Sequence, residues 1–479
     1  MAVNHIIELD AVALWRSIAT RRVSCVELMN AHLDCIERLN PNVNAIVSLR
    51  DRASLIVEAR TRDDQIARGE HLGPLHGFPH AVKDLVLTAG IRTTFGSPLF
   101  RNFVPDHDSI MVERLRRAGA IIIGKTNTPE FGLGSHTFND VFGATRNAYD
   151  QTRSAGGSSG GAAVALALRM LPLADGSDYA GSLRNPAAWN NIFSLRPSPG
   201  LVPAELPDLF FPSPGVLGPM ARTVPDLGLL LSIQSGGDRR VPSSLPVDPA
   251  VFAAPIGTDI SGVRIAWCGD FGGHIPFEPG VLELCEAATR VFADLGCIVE
   301  AAAPAYPLER LWRDFVTLRS WHIASGDAAL YRDEAKRALL KPELIWEIER
   351  GLALTGQDVA EASVGRSDWY RAVALFFSAF DFILLPSAQL FPFPVEWRWP
   401  REIAGTALET YHRWMENNIL ITMSGCPALN VPVGFDLRGL PMGMQIVAPI
   451  GGERRLLQLA EAYDQATQWT QHQPGMRSR

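Results

Sequence analysis

The sequence lacks the features that mark membrane, nucleic-acid-binding and metal proteins. It has no block of consecutive Lys and Arg residues, and its net charge of −7 provides no basic surface for nucleic acid. No apolar run approaches the ~20 residues that span a bilayer; FFSAFDFILLP, for example, is interrupted by Asp381. Neither an HExxH motif nor a CxxC pair is present. We therefore expect no nucleic-acid or membrane partner, no metal and no cofactor.

The cysteines and the first residues of the chain are not typical of a secreted protein. Six cysteines are scattered without pairing motifs: Cys25, Cys35, Cys268, Cys285, Cys297 and Cys426. Such cysteines are usually reduced thiols of intracellular proteins. The opening MAVNHIIELDAVALWRS lacks the basic, apolar and cleavage regions of a signal peptide. We therefore expect a cytoplasmic location.

The apolar pattern changes near residue 73. Residues 8–70 show helical periodicity, and Ser24 followed by Glu27 predicts a capping box at the second helix. Beyond residue 73, short apolar runs such as AVKDLVL, AIIIG, MLPLA and FDFILLPS alternate with helical segments. This alternation predicts an α/β fold, with a central mixed, mostly parallel β-sheet covered by helices on both faces.

The chain has no internal repeat and no linker between independent halves. We therefore predict one large domain over residues 1–479. Its predicted parts are an N-terminal helical part (1–72), a catalytic core (73–235 and 420–470) and a more variable substrate-shaping part (236–419).

Lysine is scarce in this sequence. Only four of the 44 basic residues are Lys: Lys83, Lys125, Lys336 and Lys341. Lys336 and Lys341 lie in EAKRALLKPE, which predicts a solvated polar helix face. Lys83 lies instead within the apolar run AVKDLVL. A desolvated Lys can lose its proton and act as a base, which Arg cannot do, but a pair with Asp84 or another carboxylate explains Lys83 equally well.

A dense run of glycine and serine, RSAGGSSGGAA, occupies residues 153–163. A helix of small residues follows at once, which is not typical of a flexible linker. A phosphate-binding loop needs a Lys after its spacer, and none is present. Residues 156–160 fit the G-x-S-x-G nucleophile elbow, yet polar turn residues precede them where an elbow requires a strand. Ser182, in GSDYAGSLRNP, lies in a second turn whose backbone N–H groups can converge on an anion.

Lys83, Ser158 and Ser182, each in its own motif, together resemble the amidase signature family of serine hydrolases. Matching stretches extend over almost the whole chain: GPLHGFPHAVKDL, AGAIIIGKTNTPEFG, FGATRNAYD, RSAGGSSGGAA, GSDYAGSLRNPAA, GPMARTVPDLGLLL and GCPALNVPVG. The resemblance implies an amidohydrolase that converts a small-molecule carboxylic acid amide to an acid plus ammonia or an amine, without a cofactor. A homodimer is left open.

The resemblance also implies a Ser–Ser–Lys triad. Ser182 would attack the amide carbonyl and form an acyl-ester, while Ser158, on a cis Gly157–Ser158 peptide, would pass its proton to neutral Lys83. Serine is a poor nucleophile until a base takes its proton, so the assignment agrees with elementary chemistry. The N–H groups expected to hold the oxyanion are those of Tyr179, Ala180, Gly181 and Ser182.

Two positions depart from the family pattern. Ala180 stands where Gly is common, and alanine resists a positive φ. His80 stands where an aliphatic residue is usual. A core histidine with satisfied hydrogen bonds is favoured there over a substrate contact.

Several polar residues near the motifs are predicted to have structural roles. Lys125 should bind loop carbonyls or a carboxylate, and Asp178 should pair with Arg184. Ser159 is predicted to hydrogen-bond within its own loop.

The predicted substrate contacts are Ser135, His136, Phe391 and Trp397. The stretch FILLPSAQLFPFPV carries no charge, which indicates an apolar aryl or alkyl amide. Trp321 and Trp414 are predicted as further wall residues. Packing of these aromatic side chains into the core explains them equally well.

Three alternative functions remain. The glutaminase subunit of an amidotransferase shares the expected fold, but its polar substrate region is not recognisable in residues 310–400. A Ser-His-Asp esterase of the α/β-hydrolase type needs a late histidine, for which only His412 and His472 are available. An inactive scaffold is disfavoured because all three triad residues are present.

Overall fold

The computed structural model describes residues 6–205, 208–211 and 213–475, so both ends of the predicted domain lie outside the described residues. The helices are α1 (Ala11–Ala19), α2 (Cys25–Val43), α3 (Arg52–Ala67), α4 (Ile110–Arg117), α5 (Gly160–Ala167), α6 (Arg184–Trp189), α7 (Val224–Gln234), α8 (Ala250–Ala253), α9 (Val281–Asp294), α10 (Leu308–Arg332), α11 (Glu334–Arg337), α12 (Pro342–Leu352), α13 (Gly356–Phe376), α14 (Glu416–Ser424) and α15 (Glu453–Thr467). The strands are β1 (Ile46–Val47), β2 (Pro79–Lys83), β3 (Ile121–Thr126), β4 (Ala174–Asp178), β5 (Phe193–Arg196), β6 (Val216–Ala221), β7 (Arg264–Trp267), β8 (Ile298–Ala301), β9 (Phe382–Pro386), β10 (Glu402–Ile403), β11 (Thr406–Ala407), β12 (Ala428–Phe435) and β13 (Pro441–Val447).

Eight strands form the central sheet, in the order β4-β6-β5-β12-β13-β9-β7-β8. Strand β7 pairs in parallel with β8 and β9, and the remaining pairings of this sheet are antiparallel. The α/β class and the mixed sheet are confirmed, but the predicted parallel majority is wrong. Alternation along the sequence does not determine which strands pair, and the connection between β12 and β13 is too short for a parallel crossover.

Three strands form a second, smaller sheet in the order β1-β3-β2. Strand β2 runs parallel to β3, with helix α4 between them in the chain, and β1 runs antiparallel to β3. Every residue of β2 and β3 is buried. The predicted run AVKDLVL is therefore extended only as far as Lys83, which ends its strand inside the protein.

The start of helix α2 has the predicted capping box. The N–H of Glu27 donates to Ser24 Oγ at 3.1 Å, and the N–H of Ser24 donates to Glu27 Oε2 at 2.9 Å. The two bonds satisfy donors that the first turn of a helix leaves free.

Strand β4 begins four residues later than MLPLA predicts. It has the sequence ADGSD, whose Gly and Asp disfavour a strand locally. Pairing with β6 along all five residues overrides that preference. Gly176 is required at its centre, since a Cβ there would lie 2.7 Å from Ser159 Oγ.

One hydrophobic core extends over both sheets, from Val82 and Ile122 in the small sheet to Leu429 and Ile446 in the large one. Helices α5, α6, α9 and α15 pack against strands of these sheets. None of the helices in the described part of the chain is long and apolar enough to cross a membrane.

Candidate active site

Lys83 is fully buried and is surrounded by serine hydroxyl groups. Its Nζ lies 2.7 Å from Ser158 Oγ and 2.8 Å from Ser159 Oγ and Ser177 Oγ. The predicted alternative, a pair with Asp84, is not formed, because the Asp84 carboxylate accepts the N–H of Thr94 at 3.0 Å. The lysine amine therefore has polar partners without a carboxylate in direct contact.

The surroundings of Lys83 favour its neutral form. Desolvation by burial lowers the pKa of Lys83 to about 7, although the negative charges of Asp175 and Asp178 act in the opposite direction. A lysine in water has a pKa of ~10.4 and holds its proton at neutral pH. This lysine can therefore accept a proton under ordinary conditions.

Ser159 has a fixed hydrogen-bonding role beside the lysine. Its hydroxyl donates to the Ser177 carbonyl at 3.3 Å, and its oxygen accepts the N–H of Ser177 at the same distance. Since the hydroxyl hydrogen is used, Ser159 Oγ acts as an acceptor toward Lys83 Nζ. The predicted bonding within its own loop is replaced by bonds to Lys83 and to β4.

The loops that carry Ser158 and Ser182 touch each other. The N–H of Ser159 donates to the Ser182 carbonyl at 3.2 Å. Ser158 is 2% and Ser182 is 7% exposed, so both face a nearly closed interior. The Gly157–Ser158 peptide is cis, as the resemblance implied.

The predicted ion pair of Asp178 with Arg184 is present and includes a second arginine. Asp178 Oδ1 lies 2.9 Å from Arg184 Nη2 and 3.2 Å from Arg196 Nη1, and all three side chains are fully buried. Burial alone would raise the pKa of Asp178, but the charges of Arg184 and Arg196 hold it below its usual range. The carboxylate also accepts the N–H groups of Gly181 and Leu183, so it holds the Ser182 loop in shape.

The predicted oxyanion donors differ in their availability. The N–H of Gly181 already donates to Asp178 Oδ1 at 2.9 Å. The N–H groups of Tyr179, Ala180 and Ser182 have no acceptor among the described residues. The positive φ of the loop, 102°, falls on Gly181 and not on Ala180, so alanine fits its position without strain.

His80 is a satisfied core histidine, as favoured from the sequence. Its Nε2 donates to Asp175 Oδ1 at 2.9 Å, and both side chains are buried. The other carboxylate oxygen, Oδ2, accepts the N–H of Lys83 at 3.2 Å. Asp175 therefore fixes the backbone at the end of β2.

The remaining lysines divide between core and surface. Lys125 Nζ donates to the Val86 carbonyl at 2.6 Å, which agrees with its predicted role. Lys336 lies at the surface 3.4 Å from Asp333. The solvated position predicted for Lys341 is wrong: its Nζ donates to the Leu133 carbonyl at 2.6 Å, and burial lowers its pKa to about 8. It is the N-cap residue that immediately precedes helix α12.

Ser135 and His136, predicted as substrate contacts, bind the Gly-Ser loop. Ser135 Oγ donates to the Gly157 carbonyl. His136 is 3% exposed and bonds to Ser154 and to the Val395 carbonyl. Both residues also line a cavity beside that loop.

The predicted aromatic contacts lie in different surroundings. Phe391 is 1% exposed and packs under the guanidinium of Arg438, whereas Trp397 is 52% exposed and stacks on Phe393. The predicted wall residues Trp414 and Trp321 also separate. Trp414 lines the cavity, and Trp321 packs against Phe211 with ring centroids 4.2 Å apart.

Aromatic side chains of Phe138, Trp399, Tyr411 and Trp414 line the cavity beside the Gly-Ser loop, together with polar and charged residues. It lies near Ser158, since Leu133 lines it and a Cβ on the preceding Gly132 would lie 3.6 Å from Ser158 Oγ. Of the charged groups at its border, Arg398 is paired with a carboxylate, and Lys341 has no carboxylate partner among the described residues. Lys341 donates to the Leu133 carbonyl, and Arg398 Nε donates to Glu343 at 2.9 Å.

Sequence reasoning missed two residues that contact the lysine, Asp175 and Ser177. Both belong to ADGSD in strand β4. Side chains two residues apart on a strand lie on the same face of the sheet. Had the segment been recognised as a strand, its alternation would have placed Asp175 and Ser177 on one face. It also missed the buried group around Glu347, which accepts from Arg319 and Tyr411 at 2.8 Å, while Arg319 lies over the ring of Tyr179.

The late histidines have no catalytic partner among the described residues. His412 Nδ1 bonds to Thr410 Oγ1 at 2.8 Å, and its Nε2 lies 3.6 Å from Glu347. The ring of His472 packs against Phe435 and Trp469. In the part of the chain that the structure describes, neither histidine bonds to Ser158 or Ser182.

The chain is similar to known amidases over nearly its whole length. The family model described as Amidase matches residues 27–457. An acylamidase of Rhodococcus erythropolis is 33% identical over 425 residues, which are 85% of this chain and 84% of the relative. A glutamyl-tRNA(Gln) amidotransferase chain of Thermosynechococcus vestitus is 33% identical over 434 residues, which are 86% and 88% of the two chains.

Solved structures agree with these relatives. A bacterial aryl acylamidase of the amidase signature family superposes with a TM-score of 0.91 at 28% identity, covering 97% of both chains. The 6-aminohexanoate cyclic dimer hydrolase gives a TM-score of 0.84 at 27% identity, covering 98% of this chain and 99% of its own. The chain therefore belongs to the amidase signature family and is an amidohydrolase that acts on carbon–nitrogen bonds.

Proposed function

We propose that the enzyme hydrolyses an apolar, aryl- or alkyl-substituted amide through an acyl-enzyme on Ser182, with Ser158 and Lys83 as the proton relay. The observation that carries the proposal is the contact of 2.7 Å between Ser158 Oγ and a buried lysine whose pKa lies at about 7. A base is most effective when its pKa lies near the working pH.

The hydroxyl groups around Lys83 orient its lone pair. A neutral amine has two N–H donors and one lone pair. Ser159 Oγ must accept one N–H because its own hydrogen is used, and Ser177 Oγ, also at 2.8 Å, takes the other. The lone pair is then directed at Ser158, which is the geometry that a proton acceptor needs.

The proposed reaction moves one proton through the relay in each direction. Lys83 takes the proton of Ser158 as Ser158 takes that of Ser182, and Ser182 Oγ attacks the amide carbon. The proton returns through Ser158 to the leaving nitrogen, the carbon–nitrogen bond breaks and the acyl-ester remains. Water, activated by the same relay, then hydrolyses the ester to the acid and restores Ser182.

The oxyanion is proposed to bind to the N–H groups of Tyr179, Ala180 and Ser182, which have no other acceptor among the described residues. Gly181 contributes less to this role than the sequence suggested, since its N–H is bound to Asp178. The positive φ of Gly181 makes the backbone turn between Ala180 and Ser182. Donors fixed in this way stabilise charge only as it develops.

The aromatic side chains beside Ser158 support the proposed substrate class, and the cavity between them, about 10 Å³, must widen to admit an aryl ring. Six of its lining residues, Lys341, Glu343, Arg398, Trp399, Tyr411 and Trp414, come from residues 236–419. We therefore assign this part the substrate-shaping role, while the other predicted parts stay predictions. Among the described lining residues, Arg398 is paired with Glu343, whereas Lys341 bonds to a neutral carbonyl, so the choice between an aryl amide and glutamine is left to the kinetic comparison of the two substrates.

Mass spectrometry after reaction with an aryl fluorophosphonate tests the proposal. We expect a single adduct on the peptide that contains Ser182. Ser182→Ala should abolish labelling, and Ser158→Ala should slow it. An adduct on another serine, or no adduct under conditions in which aryl amides are hydrolysed, would contradict the assignment.

A further inference from the structure

The segment of residues 135–137 bonds to three peptide groups of the Gly-Ser loop. Thr137 Oγ1 donates to the Gly156 carbonyl at 2.8 Å and accepts the N–H of Gly160 at 3.2 Å. Ser135 Oγ donates to the Gly157 carbonyl. The approach is close, since a Cβ on Gly157 would lie 3.1 Å from the backbone nitrogen of His136. The position of Ser158 therefore depends on this segment.

His136 uses both ring nitrogens in fixed roles. A carbonyl can only accept, so Nε2 carries the hydrogen and donates to Val395 at 3.0 Å. Nδ1 then accepts the hydroxyl of Ser154 at 2.7 Å, and Ser154 Oγ accepts the N–H of Gly156 at 3.1 Å. Burial lowers the pKa of His136 to about 4, which agrees with a neutral ring.

The two partners of His136 belong to two backbone segments that are paired through an isolated β-bridge between Arg153 and Pro394. The N–H of Ser154 donates to the Phe393 carbonyl at 2.8 Å, and the N–H of Val395 donates to the Thr152 carbonyl at 3.0 Å. The imidazole bridges this short ladder from the side. Beyond Val395, the same segment continues into Arg398 and Trp399, which line the aromatic cavity.

We propose that His136 is a positioning residue that joins the substrate cavity to the proton relay, through Val395 on one side and through Ser154 and Gly156 on the other. The proposal deepens the proposed function and rests on it for its kinetic consequence. A substrate held by the segment after Val395 and the serine that relays its proton then share one rigid support. Small misplacements of such a serine are costly, since ~1 Å can change a rate by ~100-fold.

Two substitutions of His136 each remove one of the two hydrogen bonds that its ring makes. His136→Asn keeps an acceptor near the place of Nδ1 and loses the donor to Val395. His136→Gln keeps a donor near the place of Nε2 and loses the acceptor for Ser154. We expect His136→Gln to slow fluorophosphonate labelling of Ser182 and to lower kcat by ~10- to 100-fold, with KM changed less than ~3-fold. We expect His136→Asn to raise KM for an aryl amide by ~10-fold, with kcat changed less than ~3-fold.

His76 offers a matched control. It is also buried, its Nδ1 accepts the N–H of Leu72 at 3.2 Å, and its Nε2 donates to the Arg62 carbonyl at 2.9 Å. His76→Gln and His76→Asn should lower the melting temperature without the kinetic effects. Equal effects of the His76 and His136 variants on kcat and KM, or wild-type labelling of His136→Gln, would overturn the proposal.

Amide hydrogen exchange separates this proposal from the proposed function. We expect faster exchange in residues 154–160 of His136→Gln and not of His76→Gln, whatever the reaction of the enzyme. If exchange increases in this way while wild-type Ser182 takes no label, the triad assignment falls and the positioning of the loop stands. If wild-type Ser182 is labelled and exchange in residues 154–160 is unchanged in His136→Gln, the positioning role is refuted.

Discussion

The backbone N–H of Ser159 donates to the carbonyl of Ser182 at 3.2 Å and so joins the Gly-Ser loop directly to the loop of the proposed nucleophile. The neighbouring Ser158 reaches Lys83 at 2.7 Å on the other side. The three residues of the proposed triad are thus linked by one continuous set of contacts, and the proposed role of each leads to a distinct experimental prediction.

Ser182→Ala should abolish turnover and leave the fold intact, because the covalent step needs the hydroxyl and the loop is held by Asp178 through backbone groups. Initial rates on an aryl amide, together with circular dichroism, measure both effects. Residual activity above a few per cent of wild type would remove Ser182 from the nucleophile role.

Lys83→Arg should be nearly as damaging as Lys83→Ala. Arginine keeps the charge but does not lose its proton in a protein, so the base is lost in both variants. Parallel measurements of kcat for the two variants check this. An arginine variant that keeps most of its activity would make Lys83 an electrostatic or structural group.

The pH profile of kcat/KM should rise by ~10-fold per unit below the pKa of Lys83, which lies at about 7, and level off above it. The rate rises with pH because only the neutral amine of Lys83 can accept a proton. The rising part of the profile belongs to the relay as a unit.

Ser177→Ala removes an acceptor that stabilises the ammonium form of Lys83, so it should move the rising part of the kcat/KM profile to lower pH. A rising part that does not move would assign the titration to another group.

Asp178→Asn should lower the free energy of unfolding by ~3–5 kcal/mol, because it leaves two buried arginines without their carboxylate. Asp381→Asn breaks a half-exposed pair with Arg455 and should cost only ~0–1 kcal/mol. Urea unfolding of both variants compares them directly. Equal losses would show that the buried cluster contributes no more than a surface ion pair.

Aromatic amides should exceed acetamide and glutamine in kcat/KM by at least ~10-fold, since burial of a ring contributes ~2–3 kcal/mol. Trp399→Ala, in the cavity wall, should reduce this preference. Trp15→Ala, on helix α1, should leave it unchanged. Kinetics on acetamide, glutamine, a long-chain amide and an arylacetamide decide the point. A preference for glutamine would favour the amidotransferase interpretation.

Local motifs were enough to predict the helix cap and the buried position of the lysine. The capping box at Ser24 and the buried setting of Lys83 follow from short-range patterns, and both are present. Strand β4 could not be predicted, because Gly176 and its neighbours form a strand only through pairing with β6. The mostly antiparallel order of the large sheet is likewise set by contacts distant in the chain.

The direction in which some side chains point could not be predicted from the sequence either. Lys341 was expected in solvent because its neighbours are polar, and only the approach of Leu133 from a distant segment draws it inward. His136 was expected to face a substrate. Its two partners, Ser154 and Val395, are known only once the Gly-Ser loop and the segment before Trp397 are seen side by side.

Lys83 and the proposed nucleophile come from different sheets, since Lys83 ends β2 of the small sheet and Ser182 follows β4 at the edge of the large one. Neither sheet by itself carries both the proposed base and the proposed nucleophile. A molecule whose two sheets have separated slightly can keep every strand pairing and still have no route for the proton. Loss of activity would then precede loss of secondary structure during denaturation, and catalytic rate reports how closely the two sheets are docked.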